Sequence, residues 1–257
     1  MTLFNSESQH REKATIWRVM SLLPLAASLA GGRIFRWFAV NIPMQLVSDG
    51  EFISDIDIIA RLSDFPRSRD WLTRTWEVKV SLLCEDGSAR SLKAGKTTRT
   101  INQLNAYRSF GSPEVSLLDT YVCEAGFMAK NAFPPPLVRA SIEAKLPRLA
   151  EQGFGYQLLP FEHGKAGDED VGLLAMPQGV NPLQTSIGIL KAVPTPEGEG
   201  FGRLVDRIDE FFVEQPDRPS KSFHQVVFCM KCRQLQLVRM RDEHLCPTCG
   251  SDLIVQS

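Results

Sequence analysis

The sequence has no excess of charge of either sign and no long apolar run. Its 29 Lys and Arg residues nearly balance its 30 Asp and Glu residues, so no global electrostatic field draws the chain to nucleic acid. Such binding has to come from local patches. Two are present, because residues 90–108 hold five basic side chains and residues 218–241 hold six, with no acid in either segment. The longest apolar segment, at residues 19–32, is shorter than the ~20 residues of a membrane-spanning helix, which excludes a membrane-embedded chain.

Cysteine is also scarce, and four of the six cysteines lie within the last 30 residues. This usage does not suggest a disulfide framework and favours a reducing compartment. A basic Arg18 before the apolar segment and an Ala-Ser-Leu-Ala run mimic a signal peptide. Glu12 and Trp17 fit poorly in such a leader, so we interpret residues 19–32 as part of a helix packed on a sheet. We expect a cytoplasmic protein that does not have a membrane as a partner.

The remaining composition is that of an ordinary globular protein, with 43% hydrophobic and 23% charged residues. Apolar periodicity predicts strands at residues 53–62, 76–82, 114–123, 156–161 and 171–176, and helices at residues 6–23, 99–111, 137–151 and 203–213. Alternating strands and helices predict an α/β domain. We place this domain at residues 1–214, a linker at residues 215–222 and a small cysteine-containing module at residues 223–257.

Two neighbouring predicted strands bring acidic and basic residues together. Asp55 and Asp57 alternate with isoleucines on the first strand, and Glu77 and Lys79 alternate with apolar residues on the second. We expect these side chains to meet at one edge of the sheet. Carboxylate oxygens suit a hard divalent cation, and an ammonium group offsets charge that develops on a phosphate. The arrangement therefore favours phosphodiester hydrolysis, with a solvated strand face as the alternative.

The order of Asp57, about twenty residues and then Glu77-Val78-Lys79 on apolar strands resembles the PD-(D/E)xK nuclease superfamily. The proline that often precedes the aspartate is absent. The resemblance implies a restriction-endonuclease-like fold, with a mixed central sheet flanked by helices. It also implies that Asp57 and Glu77 bind Mg²⁺ or Mn²⁺, with the Val78 carbonyl as a further ligand. It also implies that Lys79 positions the hydrolytic water. Asp55 is an additional candidate for a ligand or for a partner of one.

The helix after the Glu77 strand adds a polar stripe. Arg99, Gln103 and Tyr107 follow one another at intervals of four residues. Many members of the superfamily have a Gln-x-x-x-Tyr pair here, and the resemblance implies that these residues contact the nucleic-acid backbone.

The first helix of such proteins often contains an extra metal-binding acid, which makes Glu12 a candidate. An exposed Glu12 paired with a nearby Lys or Arg is the alternative.

Two Cys-x-x-Cys pairs near the C-terminus predict a tetrahedral zinc site. Their spacing resembles a zinc ribbon, with short strands at residues 224–228, 234–239 and 252–255 that the metal would stabilise. A pair of disulfides and a redox-active pair are the alternatives. The ribbon either binds nucleic acid through its basic residues or docks a protein. The four predicted zinc ligands are Cys229, Cys232, Cys246 and Cys249.

Together these features predict a metal-dependent DNA endonuclease with one structural zinc ion. By resemblance, such a protein works in bacterial defence, restriction or mobile-element systems, often beside an ATPase or other subunit. The alternative from another class is a catalytically silent, nuclease-like adaptor that binds nucleic acid or a partner protein through its ribbon. A phosphate-handling enzyme of different specificity is a third alternative, because a motif defines a metal site better than a substrate.

Overall fold

A mixed β-sheet with helices packed against it forms the centre of the molecule in the computed structural model. The structure describes residues 34–47, 55–63, 71–84, 86–91, 97–123, 127, 133–163, 174–175, 187–215, 224–239 and 245–253. The strands are β1 (Ile34–Pro43), β2 (Asp55–Ser63), β3 (Leu72–Leu83), β4 (Ala89–Ser91), β5 (Glu114–Cys123), β6 (Gly155–His163), β7 (Leu174–Ala175), β8 (Ile187–Leu190), β9 (His224–Cys229) and β10 (Gln234–Arg239). The helices are a 3₁₀ turn (Met44–Leu46), α1 (Thr97–Ser109), α2 (Pro136–Glu151) and α3 (Glu199–Val213). The predicted α/β class, with a mixed sheet flanked by helices, is confirmed.

The strand order combines an antiparallel half with a parallel half. Eight of the described strands follow the order β10-β9-β1-β2-β3-β5-β6-β7, while β4 pairs with β3 and β8 pairs with β6. β1, β2 and β3 are antiparallel neighbours, whereas β3, β5 and β6 are parallel. Parallel neighbours need a crossover connection, and α1 and α2 supply it. β2 and β3 therefore lie in the interior of the sheet.

The described helices cover one face of this sheet. Leu104 of α1, Ile142 of α2 and Leu204 of α3 belong to one buried cluster that also contains Ile59 of β2. Ile59 is paired with Thr75 of β3, and side chains two residues apart on a strand share a face. Odd-numbered residues of β3 consequently point toward the helices, which places Glu77 and Lys79 under a helical layer.

Helix α3 is held against the sheet by an apolar stripe and by one carboxylate. Asp209 accepts hydrogen bonds from Trp37 Nε1 (2.6 Å) and Arg36 Nε (2.9 Å) of β1. The backbone of Gly198, just before the helix, touches that of Gly111, where a Cβ would lie 2.5 Å from the Gly198 Cα. The buried residues of the stripe are Phe201, Leu204, Val205, Ile208 and Phe212.

The C-terminal hairpin of β9 and β10 continues the main sheet. Val226 and Val227 of β9 pair in parallel with Ala39 and Val40 of β1, and β10 pairs antiparallel with β9. Two of the three strands predicted for the cysteine module thus add to the sheet that contains Asp57 and Glu77. The third, predicted at residues 252–255, shows in its described part only an isolated bridge between Asp252 and Leu245. The proposed boundaries at residues 214 and 223 remain predictions.

Several sequence predictions lie outside the described residues. These are the opening helix with Glu12, most of the linker and most of the strand predicted at residues 171–176, of which Leu174–Ala175 is described as β7. Within the described part of the chain, no helix combines the length and the apolar character required to cross a membrane.

The packing of α3 gives a first prediction. Phe201 is fully buried, and Phe201→Ala should lower the free energy of unfolding by about 3–5 kcal/mol, because it leaves a cavity between α3 and the sheet. Val213 in the same helix is 56% exposed, so Val213→Ala should change it by less than about 0.5 kcal/mol. Urea unfolding followed by circular dichroism measures both values. Equal effects of the two variants would contradict the observed packing of α3.

Candidate functional site

The acidic residues of β2 and β3 meet where these two strands separate. The antiparallel pairing ends at Ile58 and Trp76, and the same register continued by one residue sets Asp57 opposite Glu77. The Val78 backbone N–H then donates to the Asp57 carboxylate (2.8 Å to Oδ2). The Asp57 carboxylate thus takes the place of a backbone acceptor for the Val78 N–H, and the two backbones are no longer paired at this point. The residues meet in the interior of the sheet, so the sequence expectation of an edge was wrong.

Glu77 is the most constrained charged residue of this group. It is 1% exposed, and a buried carboxylate is costly unless it is paired and hydrogen-bonded. Its Oε1 accepts from Lys79 Nζ (2.5 Å), and its Oε2 accepts from the Tyr107 hydroxyl. The Tyr107 oxygen also lies 2.8 Å from the carbonyl oxygen of Asp55. The single hydroxyl hydrogen of Tyr107 therefore faces two oxygens, one from each strand.

The predicted stripe on α1 runs from solvent into the core. Arg99 is exposed, Gln103 is half-buried and accepts from Lys79 Nζ (3.2 Å), and Tyr107 is fully buried. Burial and the nearby carboxylates of Glu77 and Asp57 raise the pKa of Tyr107 well above its usual value, so its hydroxyl stays protonated and donates. A side chain that is fully buried does not fit the predicted contact with nucleic acid. The hydrogen bond from the Tyr107 hydroxyl instead suits the positioning of Glu77.

A second buried carboxylate lies beside Lys79 and was not given a role from the sequence. Asp119 of β5 pairs with Lys79 in the parallel register, and its Oδ2 accepts from Lys145 Nζ (2.6 Å) and from the Tyr156 hydroxyl (2.8 Å). Burial and the Asp119 charge raise the pKa of Tyr156 above its usual value. The only sequence signal for this group is an aspartate within a mostly apolar strand.

The four C-terminal cysteines form the predicted cluster. Their sulfur atoms all lie within 4.8 Å of one another. The Cys229 and Cys249 sulfurs are 3.6 Å apart, and those of Cys232 and Cys246 are 3.8 Å apart. A tetrahedron of sulfurs around Zn²⁺, with bonds of about 2.3 Å, has edges of about 3.8 Å. The cluster is therefore compatible with a structural zinc site.

Polar groups around the cysteines are placed to support thiolates. Ser251 Oγ lies 3.0 Å from the Cys249 sulfur, and Gln236 Nε2 donates to the Cys232 sulfur at 3.6 Å. Hydrogen bonds from Ser251 lower the pKa of Cys249, whereas burial and the neighbouring thiols raise the pKa of Cys232 to about 12. A cation is thus needed to hold all four as thiolates at neutral pH. Gly250 closes the second knuckle with a φ of +68°, which favours glycine.

No protein-family model, curated protein or solved structure matches this chain. A functional assignment therefore depends on the chemistry of the two residue groups. The group on β2, β3 and α1 offers carboxylate oxygens, an ammonium group and an amide within a few ångströms of one another. The group at the C-terminus offers four sulfurs. Oxygen ligands suit Mg²⁺ or Mn²⁺, and sulfur ligands suit Zn²⁺.

The cysteine geometry gives a second prediction. Freshly purified protein should contain about one zinc ion per chain, and the double variant Cys232→Ser, Cys249→Ser should contain none, because two hydroxyls replace two thiolate ligands. Elemental analysis by plasma mass spectrometry measures the content. Cys84, outside the cluster, provides the control Cys84→Ser, which should keep the metal. Wild-type protein without zinc would contradict the prediction.

Proposed function

We propose that this chain is a metal-dependent DNA endonuclease of the PD-(D/E)xK type, with a restriction-endonuclease-like fold. The observation that carries the proposal is the convergence of Asp57, Glu77 and Lys79 where β2 and β3 separate. Phosphodiester hydrolysis requires oxygen ligands for a divalent cation and positive charge near the reacting phosphate. This place in the molecule offers both.

The topology is in keeping with the proposal. The sheet contains three antiparallel strands, then the crossover helix α1, and then a parallel strand beside β3. The candidate residues belong to the middle of this arrangement and not to its loops. Sites on strands hold side chains more rigidly than sites on loops do, which suits a reaction that depends on positioning.

Asp57 and Glu77 would hold Mg²⁺ or Mn²⁺, with the Val78 carbonyl as a further ligand. A carboxylate has about four lone-pair positions, so the bonds from Val78 N–H, Lys79 and Tyr107 leave acceptor capacity for a metal. When bound, the ion supplies positive charge to the scissile phosphate and lowers the pKa of water. The hard oxygen donors of this site fit such an ion.

Lys79 orients the attacking water and offsets the negative charge that grows on the phosphate oxygens. Its ammonium group is fixed between Glu77 Oε1 and Gln103 Oε1, so little entropy is lost when it acts. The water oxygen gives up a proton to solvent and forms a bond to phosphorus as the bridging P–O bond breaks, and the leaving oxygen takes up a proton from solvent. Tyr107 keeps Glu77 in place by donating to its second oxygen.

The cysteine cluster is proposed to bind one structural Zn²⁺. Lys231 and Arg233 lie near its first knuckle and are exposed, so they are available to nucleic acid or to an acidic partner. Four thiolates on Zn²⁺ carry a net charge of −2, which partly offsets these basic groups. In this proposal the zinc ion has a structural role and takes no part in the chemistry on β2 and β3.

The proposed chemistry gives a third prediction. Wild-type protein with Mg²⁺ or Mn²⁺ should nick or linearise supercoiled plasmid, and EDTA should stop it. Lys79→Ala and Asp57→Asn should each lower the rate at least ~100-fold, because they remove the ammonium group or a metal ligand. Asn keeps an acceptor for the Val78 N–H, so that variant should fold. The exposed Lys191 provides the control Lys191→Ala, which should cleave at the wild-type rate.

Two results would contradict this prediction. Wild-type rates in folded Lys79→Ala or Asp57→Asn protein would remove these residues from the mechanism. Tight DNA binding without cleavage in any metal, measured by fluorescence anisotropy, would instead indicate the silent adaptor.

The hydroxyl of Tyr107 gives a fourth prediction. Tyr107→Phe keeps the ring but removes the donor to Glu77, so cleavage should fall about tenfold and the free energy of unfolding should fall by about 1–2 kcal/mol. Thr75→Val is the control, because it removes a different buried hydroxyl, one on β3 that bonds to Ser112. It should lower the free energy of unfolding without slowing cleavage. The metal concentration for half-maximal rate should rise in Tyr107→Phe alone. Equal cleavage by both variants would exclude a positioning role for Tyr107.

A further inference from the structure

The first cysteine knuckle, which we define as residues 229–233, lies at the same end of the sheet as the candidate site. Val227 of β9 pairs with Val40 of β1, and Val40 pairs with Ile58 of β2. These pairs form one line across the sheet. Because β9 runs parallel to β1 and β2 runs antiparallel to it, Asp57 lies one residue beyond this line and the knuckle begins two residues beyond it, on the same side. The first knuckle is therefore almost level with the candidate site along the strands.

Only a few strand spacings separate the first knuckle from the candidate site. β9 is two positions from β2 and three positions from β3 in the order of the sheet. Neighbouring strands lie about 4.8 Å apart, so the knuckle is displaced across the sheet by about 10 Å from Asp57 and about 14 Å from Lys79. One strand of a DNA duplex has a phosphate for every ~3.4 Å of helix axis. A backbone with its scissile phosphate at Lys79 therefore reaches the first knuckle within about four nucleotides.

The first knuckle exposes positive charge. Lys231 and Arg233 are exposed, and neither forms an ion pair with a residue that the structure describes. Residues 224–239 contain no Asp or Glu. The second knuckle, residues 246–250, has the same Cys-x-x-Cys spacing but no charged side chain. The basic residues thus belong to one of two otherwise similar knuckles, and the zinc site that both would share does not require them.

The backbone of Arg233 has a conformation that favours glycine. Its φ is +56°, and Gly250, which follows the second Cys-x-x-Cys pair as Arg233 follows the first, has a φ of +68°. A side chain with a Cβ is strained in this region. Among the described residues other than glycine, only Asn41 also has a positive φ, and asparagine tolerates it. The chain therefore holds an arginine where glycine would fit better, which points to a use for its guanidinium group outside the fold.

We propose that the first knuckle binds the DNA backbone beside the scissile phosphate, with Arg233 and Lys231 each contacting a phosphate. This inference rests on the proposed nuclease function and names the surface that holds its substrate. A guanidinium group binds two oxygens of one phosphate together, and an ammonium group acts as a point charge. An acidic peptide offers the same charge, but only a DNA strand follows from both the proposed cleavage and the distance to Lys79. Contacts to phosphates carry no sequence information, so binding at the knuckle should not depend on sequence.

The test is DNA binding under conditions that prevent cleavage. Fluorescence anisotropy with a labelled duplex, without Mg²⁺, Mn²⁺ or chelator, leaves zinc in place and gives the dissociation constant at several salt concentrations. Arg233→Gly should weaken binding about tenfold, because it removes a charge-assisted contact. The slope of log Kd against log salt concentration should fall by about 0.9 for each phosphate contact that is lost. Lys231→Ala should lower this slope in the same way.

Glycine at position 233 also separates a binding role from a structural one. Because glycine suits the positive φ, Arg233→Gly should keep its zinc and unfold thermally at or above the wild-type midpoint while it loses affinity for DNA. Arg233→Lys keeps the charge, so it should keep the wild-type salt slope. Lys231→Ala provides the same binding test if Arg233→Gly loses zinc.

A matched control removes an exposed arginine at the other end of the sheet. Arg148 is exposed in the last turn of α2, just before β6 begins. It therefore lies at the amino end of the parallel strands, whereas the first knuckle follows the carboxyl end of β9. Arg148→Ala should bind DNA within about twofold of wild type and keep the salt slope, as expected for an exposed charge without a phosphate partner.

Three results would overturn the proposal. These are no DNA binding by wild-type protein, wild-type affinity and salt slope in both Arg233→Gly and Lys231→Ala, and an equal loss of slope in Arg148→Ala. Poly-L-glutamate that binds as tightly as DNA, and whose binding Arg233→Gly weakens, would make an acidic protein the partner and overturn the assignment to DNA.

The failure of this inference can be distinguished from failure of the nuclease proposal. DNA binding that Arg233→Gly and Lys231→Ala weaken, without cleavage in any metal, keeps the knuckle assignment and removes the nuclease. Metal-dependent cleavage with a wild-type KM in both variants keeps the nuclease and removes the knuckle assignment. If both proposals hold, KM for plasmid cleavage should rise in both variants, because ground-state binding is lost.

Discussion

The burial of the Glu77 carboxylate is the constraint on which the candidate site depends. A charge with 1% exposure can remain in the interior only if other groups replace its water. Lys79 does this from the same strand, and Tyr107 does it from α1. Because Tyr107 also reaches the Asp55 carbonyl, α1 is tied to both β2 and β3. These two contacts act together with the buried Leu104 to hold α1 over the candidate site.

Local patterns in the sequence were enough to predict much of the site. Strand alternation indicated that Glu77 and Lys79 share a face, because that periodicity is a property of the strand alone. The helical stripe was less reliable, because each step of four residues turns about 40° beyond a full turn. From Arg99 to Tyr107 the drift is about 80°, which is the difference between an exposed side chain and a buried one.

The remaining features arise from pairing between distant parts of the chain. Asp119 lies in a strand whose other residues are mostly apolar, and its partner Lys145 comes 26 residues later on α2. No period or spacing connects the two in a single sequence. The attachment of β9 to β1 is similar, because parallel pairing of Val226 with Ala39 joins opposite ends of the described chain. The cysteine cluster was predictable because each of its knuckles is local.

The pairing of β9 with β1 also determines how the chain can be shortened. β9 covers the outer side of β1, whose residues Phe38, Val40 and Ile42 are fully buried. Removal of residues after 214 would turn β1 into an open apolar edge strand. Such edges recruit strands from other molecules. Aggregation of a shortened chain would therefore reflect an uncovered strand edge, because the C-terminal hairpin that contains two of the cysteines' neighbouring strands also pairs with β1.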